Sequence, residues 1–302
     1  MTSDIPGTRC WVMSHRPSDT ADSRSPGPRR TVLDPISGRP WLTGWWPQRA
    51  FHQIDVPGFR MVLLGPCPLS PRLLTEQANQ AVRRHAFGAL ARLPGSYLTF
   101  VRAPYGTYVA GDVAGVCRLW LDDGTAGTRP GPTAVLLPEA TGALLYDDGA
   151  VRHERYWTPP VAEAPATITG PLVAHRLRMA VRCRLDLLGS GLQHSGRVAR
   201  RLAGGEAVGV STSMLLSPTG LDEILGPAPT PHRTVWRNGT ADRLRLARAQ
   251  SSPSSGSDDL CVHRPLLDAH VLEAALATRE RDVRRGTLRR ETMLVLDQMS
   301  SE

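Results

Sequence analysis

The chain has 302 residues, with 36 basic side chains against 28 acidic ones, a formal charge of +8 and a pI near 9.9. All 36 basic residues are arginine, so chemistry that needs a lysine, as a Schiff base, a P-loop cation or an adenylation catalyst, is closed to this chain. Five scattered cysteines form no CxxC pair, Cys261, His263 and His270 lack a fourth ligand at metal spacing, and no apolar run approaches a membrane span. The expectation is a cytosolic protein with reduced thiols, no zinc, no disulfide frame and no membrane contact.

In chain order, residues 1–30 are rich in Pro, Ser, Asp and Arg and read as a disordered tail. The pattern then turns to β over 31–33, 41–46, 51–55 and 59–64. Ser70-Pro71 supplies an N-cap and a first-turn proline, and apolar residues at helical spacing from Leu73 to Leu93 predict about six turns covering one sheet face. Segments 96–102 and 105–110 flank Ala103-Pro104 as an antiparallel hairpin, and Gly111-Asp112-Val113-Ala114-Gly115 turns the chain into a further strand. A second hairpin, 144–146 with 151–157, turns at Asp147-Asp148-Gly149. Strands with a covering helix give an α+β layered domain over 31–160, with Trp41, Leu63, Leu90, Leu98 and Val109 in its core.

A Pro/Ala/Thr-rich connector at 158–169 leads to an α/β pattern: helix 171–181, strand 184–188, a Gly/Ser loop, helix 197–202 and strand 207–211. Low-complexity residues 250–257 interrupt it. Helix 267–279 and an arginine-rich helical segment to 299 follow, Pro265 and Asp268 fitting helix initiation. The arginines occur as separate pairs (29–30, 83–84, 200–201, 284–285, 289–290) without a nucleic-acid-binding motif, so nucleic-acid binding rests on charge alone and is not expected.

Ser37-Gly38-Arg39-Pro40-Trp41-Leu42-Thr43-Gly44-Trp45, Leu63-Leu64-Gly65-Pro66-Cys67-Pro68, Leu93-Pro94-Gly95-Ser96-Tyr97 and Ala110-Gly111-Asp112-Val113-Ala114-Gly115-Val116-Cys117-Arg118-Leu119-Trp120 follow one another in an informative order. That order resembles the N-terminal domain of the asparagine-synthetase-like cyclases that close lasso peptides in actinobacteria, over residues 31–160 and in fragments beyond. The resemblance implies an Ntn-hydrolase-like antiparallel sheet layer domain at 31–160 and a shortened ATP-pyrophosphatase-like α/β domain at 161–302. It also implies AMP-forming amide (macrolactam) synthesis on a ribosomal precursor peptide, with ATP and Mg²⁺ as cofactors and other lasso-pathway proteins as partners. Thr2 follows Met1 where the glutamine-hydrolysing relatives carry a cysteine nucleophile, so glutaminase activity is not expected.

The family's phosphate loop, Ser-Gly-Gly-Leu-Asp-Ser, falls at Asp186-Leu187-Leu188-Gly189-Ser190-Gly191-Leu192-Gln193-His194-Ser195, with one residue inserted. Asp186, Gly189, Ser190, Gly191, Gln193 and Ser195 are the candidate remnant of the ATP/pyrophosphate site; Gly189 to Gly191 would bend around a phosphate. Gln193 stands where an aspartate would hold Mg²⁺, and His194 where a serine would stand. The later acidic loop has no counterpart beyond Leu221-Asp222-Glu223, and the downstream lysine is absent. No residue is assigned as catalytic or metal-binding. The expectation is an impaired ligase, with a non-catalytic peptide- or partner-binding pseudoenzyme as the alternative.

Overall fold

The computed structural model describes residues 9–13, 30–188 (47, 116, 123 and 129–131 excepted) and 268–299. The chain divides into two units, 1–157 with 253–260 and 158–252 with 261–302.

The first unit is a mixed α/β structure of two six-stranded, mainly antiparallel sheets. Its strands are β1 (Arg9–Met13), β2 (Arg30–Leu33), β3 (Pro40–Trp45), β4 (Phe51–Val56), β5 (Phe59–Leu64), β6 (Leu98–Ala103), β7 (Gly106–Ala110), β8 (Trp120–Asp122), β9 (Thr125–Gly127), β10 (Val135–Leu136), β11 (Thr141–Tyr146) and β12 (Val151–Arg155). One sheet runs β10-β8-β9-β1-β3-β2, the other β12-β11-β7-β6-β5-β4. Residues 9–13, read from sequence as part of a tail, instead lie parallel between β3 and β9.

The sheets stack face to face. Val32, Trp41, Leu42 and Ala126 from one sheet pack with Val62, Phe100, Val109 and Leu145 from the other. The opposite face of the second sheet is covered by α1 (Pro71–Arg84) and a 3-10 segment, Phe87–Arg92, whose Phe87 ring lies 5.8 Å from that of Tyr108 on β7. With both faces covered, β6 and β7 are buried at every position. The five residues assigned to the core from sequence are all buried.

The helix read from 73 to 93 is two pieces. His85 takes the left-handed conformation (φ 50°), its amide bonds Val82 O, and the Ala86 amide bonds Ala81 O, a closing pattern that ends α1. Side-chain spacing alone carries no sign of such a stop.

In the second unit the described elements are helices, α2 (Ala166–Leu188), α3 (Ala269–Leu276), α4 (Glu280–Arg284) and α5 (Thr287–Met299), with one parallel bridge between Ala164 and Thr278. Asp268 caps α3, accepting from the His270 amide at 3.2 Å, as its position in the sequence implies. Gly170 on α2 lies so close to α5 that a Cβ there would meet Glu291 Cβ at 2.5 Å. The Asp282 carboxylate accepts from the Ala166 amide at 3.1 Å, closing the N-terminus of α2. The strand expected at 184–188 is not there: those residues are the last turns of α2. A short run such as Leu185-Asp186-Leu187-Leu188 fits either period, and the helix already propagating from Ala166 decides it. No described helix is long and apolar enough to cross a membrane.

Candidate functional site

Three of the four sequence motifs, those at 63–68, 93–97 and 110–120, meet at one place in the first unit. The backbone around Gly65, after β5, crosses that around Gly95 and Ser96, before β6, and the Ser96 amide donates to Pro66 O at 3.0 Å. A Cβ at Gly65 would stand 2.4 Å from Ser96 O, and one at Gly95 2.3 Å from Pro66 O; both glycines have positive φ, so only glycine suits the crossing. Ser96 is thereby held beneath the loop that leaves β7. Its hydroxyl donates to Asp112 Oδ2 at 2.6 Å, and the Cys117 amide donates to Asp112 Oδ1 at 3.0 Å. Both Asp112 oxygens therefore hold protein donors, and the buried carboxylate shapes the 112–117 loop.

Beside this loop is a small hollow of about 20 Å³, room for about one water molecule, lined among others by Gly111, Asp112, Cys117, Arg118, Glu139 and Thr141. Tyr156 fixes its floor by donating to Gly111 O at 2.9 Å. Glu139 packs against Gly115, within 2.9 Å of where a side chain there would begin. Among the described residues no group of His, Cys, Asp and Glu is arranged to hold a metal ion.

A second polar cluster ties the sheets together. Arg102 on β6 donates from Nε to Asp34 Oδ2 at 2.8 Å, and from its two terminal nitrogens to Asp147 at 2.9 and 3.0 Å. Asp34 follows β2 in one sheet, whereas Asp147 turns the β11–β12 hairpin of the other. Burial opposes ionisation of Asp34, but the Ile36 and Ser37 amides and the Arg102 guanidinium outweigh it and hold the carboxyl below its usual range. The Arg102 guanidinium is likewise held above its ordinary value: burial works against the charge, and the two carboxylates outweigh it. This triad is spent on structure. Sequence reading missed it because its partners lie 68 and 45 residues from Arg102.

Of the remnant phosphate-site residues, Asp186 is in the last turn of α2 rather than after a strand, so the strand-to-loop delivery that a phosphate loop needs is not present at its start. Gly189, Ser190, Gly191, Gln193 and Ser195 lie outside the described residues, as do helix 197–202, strand 207–211 and Leu221-Asp222-Glu223.

No protein-family model matches the chain, and no curated protein matches it. Among solved structures it is similar to glutamine phosphoribosylpyrophosphate amidotransferase from B. subtilis complexed with ADP and GMP, at 12% identity and a TM-score of 0.25, over 45% of this chain and 40% of that one. It is also similar to a structure described as the allosteric regulatory enzyme of purine biosynthesis, at 11% identity and a TM-score of 0.25, over 47% of this chain and 41% of that one. The similarity thus spans about two fifths of those proteins' length.

Proposed function

We propose that this chain is a cytosolic, degenerate relative of the asparagine-synthetase-type amide ligases of lasso-peptide pathways. In this reading an Ntn-like sheet stack is kept as a peptide- or partner-binding module, and ATP-dependent ligation is impaired. The observation that carries it is the meeting of three of the resembling motifs: the Gly65/Gly95 crossing presents Ser96 to Asp112, which closes the 112–117 loop. A ribosomal precursor peptide is the partner this implies.

Impairment follows from the side chains on offer. Adenylation builds negative charge on the α-phosphate and the departing pyrophosphate, and a positioned cation and metal must offset it. The chain holds no lysine, and Gln193 cannot replace a metal-binding carboxylate. Arg182 and Arg184 on α2, and Arg197, could still contact phosphate.

Pyrophosphate release measured with ATP, Mg²⁺ and candidate precursor peptides tests the reading. The expected result is peptide binding without peptide-dependent release. Steady release that is abolished by Gly189→Ala or Ser190→Ala would restore the enzyme.

A further inference from the structure

Among the described residues, one edge of the second sheet is left open. β12 pairs, among the described strands, with β11 alone, and all five of its residues, Val151 to Arg155, are exposed. The hydrogen-bond parity tells which backbone groups point outward. The Tyr146 amide bonds Ala150 O and the Tyr156 amide bonds Ala140 O. Hydrogen-bonded pairs recur at every second position of an antiparallel register, so Arg152 and Glu154 turn their amides and carbonyls toward β11. Val151, His153 and Arg155 therefore aim theirs away from the sheet.

This edge is complementary to itself. Two copies aligned antiparallel about His153 bring His153 opposite its own counterpart and Val151 opposite Arg155. Those are the outward-directed positions, so every free amide and carbonyl of one copy meets a partner in the other. The same register puts Arg152 opposite Glu154, twice, on one face of the sheet, and opposite charges directly across strands attract. Neither Arg152 nor Glu154 is ion-paired within the described residues; the Glu154 carboxylate lies beside Gly88 in the single chain and would turn to the edge on pairing. A shift of two residues along the strand would keep the backbone parity but separate these charges, so the register is specified by charge as well as by hydrogen bonds.

We propose that β12 is a self-association edge, through which two copies of this chain join antiparallel about His153 into a symmetric dimer with one continuous sheet of twelve strands, clamped by two Arg152–Glu154 ion pairs. The interface is isologous, each copy giving the same five residues, and it closes at two copies. Edge pairing of this length makes a concentration-dependent dimer rather than a permanent one.

Sedimentation velocity on the full chain across a dilution series tests this. The wild type is expected to pass from monomer to dimer as concentration rises. Glu154→Arg sets Arg opposite Arg twice and is expected to weaken the dimer about tenfold or more. Exchanging the charges, Arg152→Glu with Glu154→Arg in one chain, restores opposite pairing and is expected to restore the dimer. His153→Pro removes an outward amide that β11 does not use, so it is expected to abolish the dimer while leaving the circular dichroism spectrum unchanged. A wild type that stays monomeric up to roughly 100 μM overturns the proposal. So does a dimer that survives both Glu154→Arg and His153→Pro, or a charge exchange that fails to rescue.

Discussion

The indole nitrogen of Trp41 on β3 donates to the hydroxyl of Thr107 on β7 at 3.0 Å, a side-chain hydrogen bond from one sheet to the other inside the apolar core. Trp41 is 2% exposed and Thr107 is fully buried, so neither group has water as a substitute partner.

Trp41→Phe is therefore expected to cost more than its lost volume. It strands the Thr107 hydroxyl, a penalty of about 1–3 kcal/mol in addition to the cavity. Thr107→Val in the same background removes the stranded group. Urea denaturation of the two single variants and the double is expected to give a double-variant loss smaller than the sum of the singles.

The Arg102 triad makes the first unit acid-sensitive. Asp34 has a folded pKa below its unfolded value of 3.8, so its contribution is fully present above about pH 4 and is lost as pH falls through the folded value. Thermal unfolding between pH 7 and pH 2 is expected to show a steeper acid loss for the wild type than for Asp34→Asn. Arg102→Met leaves two carboxylates facing each other without a cation and is expected to cost about 3–5 kcal/mol at neutral pH.

Tyr108 presents the opposite case. Its hydroxyl is buried without a hydrogen-bond partner among the described residues, and burial, aided by the nearby Glu154 charge and by Tyr156, pushes its ionisation well above the usual range. Tyr108→Phe is expected to be neutral or stabilising by up to about 1 kcal/mol. A Cβ at Gly142 would lie 2.0 Å from that same hydroxyl oxygen. Gly142→Ala is thus expected to destabilise strongly, and Tyr108→Phe to rescue part of the loss, both read from denaturation midpoints.

Gly170→Ala tests the α2–α5 crossing in the second unit. Alanine favours the helix by about 1 kcal/mol, but its methyl needs the space that Glu291 Cβ holds. Steric cost is expected to win by about 1–2 kcal/mol. Hydrogen exchange by mass spectrometry should report the change as faster exchange in α2 and α5, with β6 and β7 unaffected.

Local rules reached the parts of the fold that local chemistry dictates. The hairpin around Ala103-Pro104 is β6 and β7, the turn at Asp147-Asp148-Gly149 joins β11 and β12, and Ser70-Pro71 starts α1, because turn and cap residues act within a few positions of themselves. What escaped was decided at a distance. The 9–13 strand exists through partners at 42–45 and 125–127, Arg102 meets its carboxylates across two sheets, and 184–188 follows the helix that begins at Ala166. At the candidate site the motif Gly111 to Gly115 was legible, but the bond from Ser96 that organises it was not, since a serine in a loop carries no mark of its partner.

The place of β1 in the first sheet bears on how the chain assembles. Residues 9–13 are the middle member of a run whose neighbours come from 42–45 on one side and 125–127 on the other. Without them the sheet parts into β2–β3 and β8–β9–β10, each with a bare edge facing the gap. Residues 9–13 therefore cannot complete their pairing until more than a hundred further residues have been synthesised. Closure of this sheet is a late event, governed by a long loop rather than by the adjacent hairpins. A chain trimmed to begin at Arg30 would fold its second sheet and leave the first as two ribbons with edges open to any passing strand.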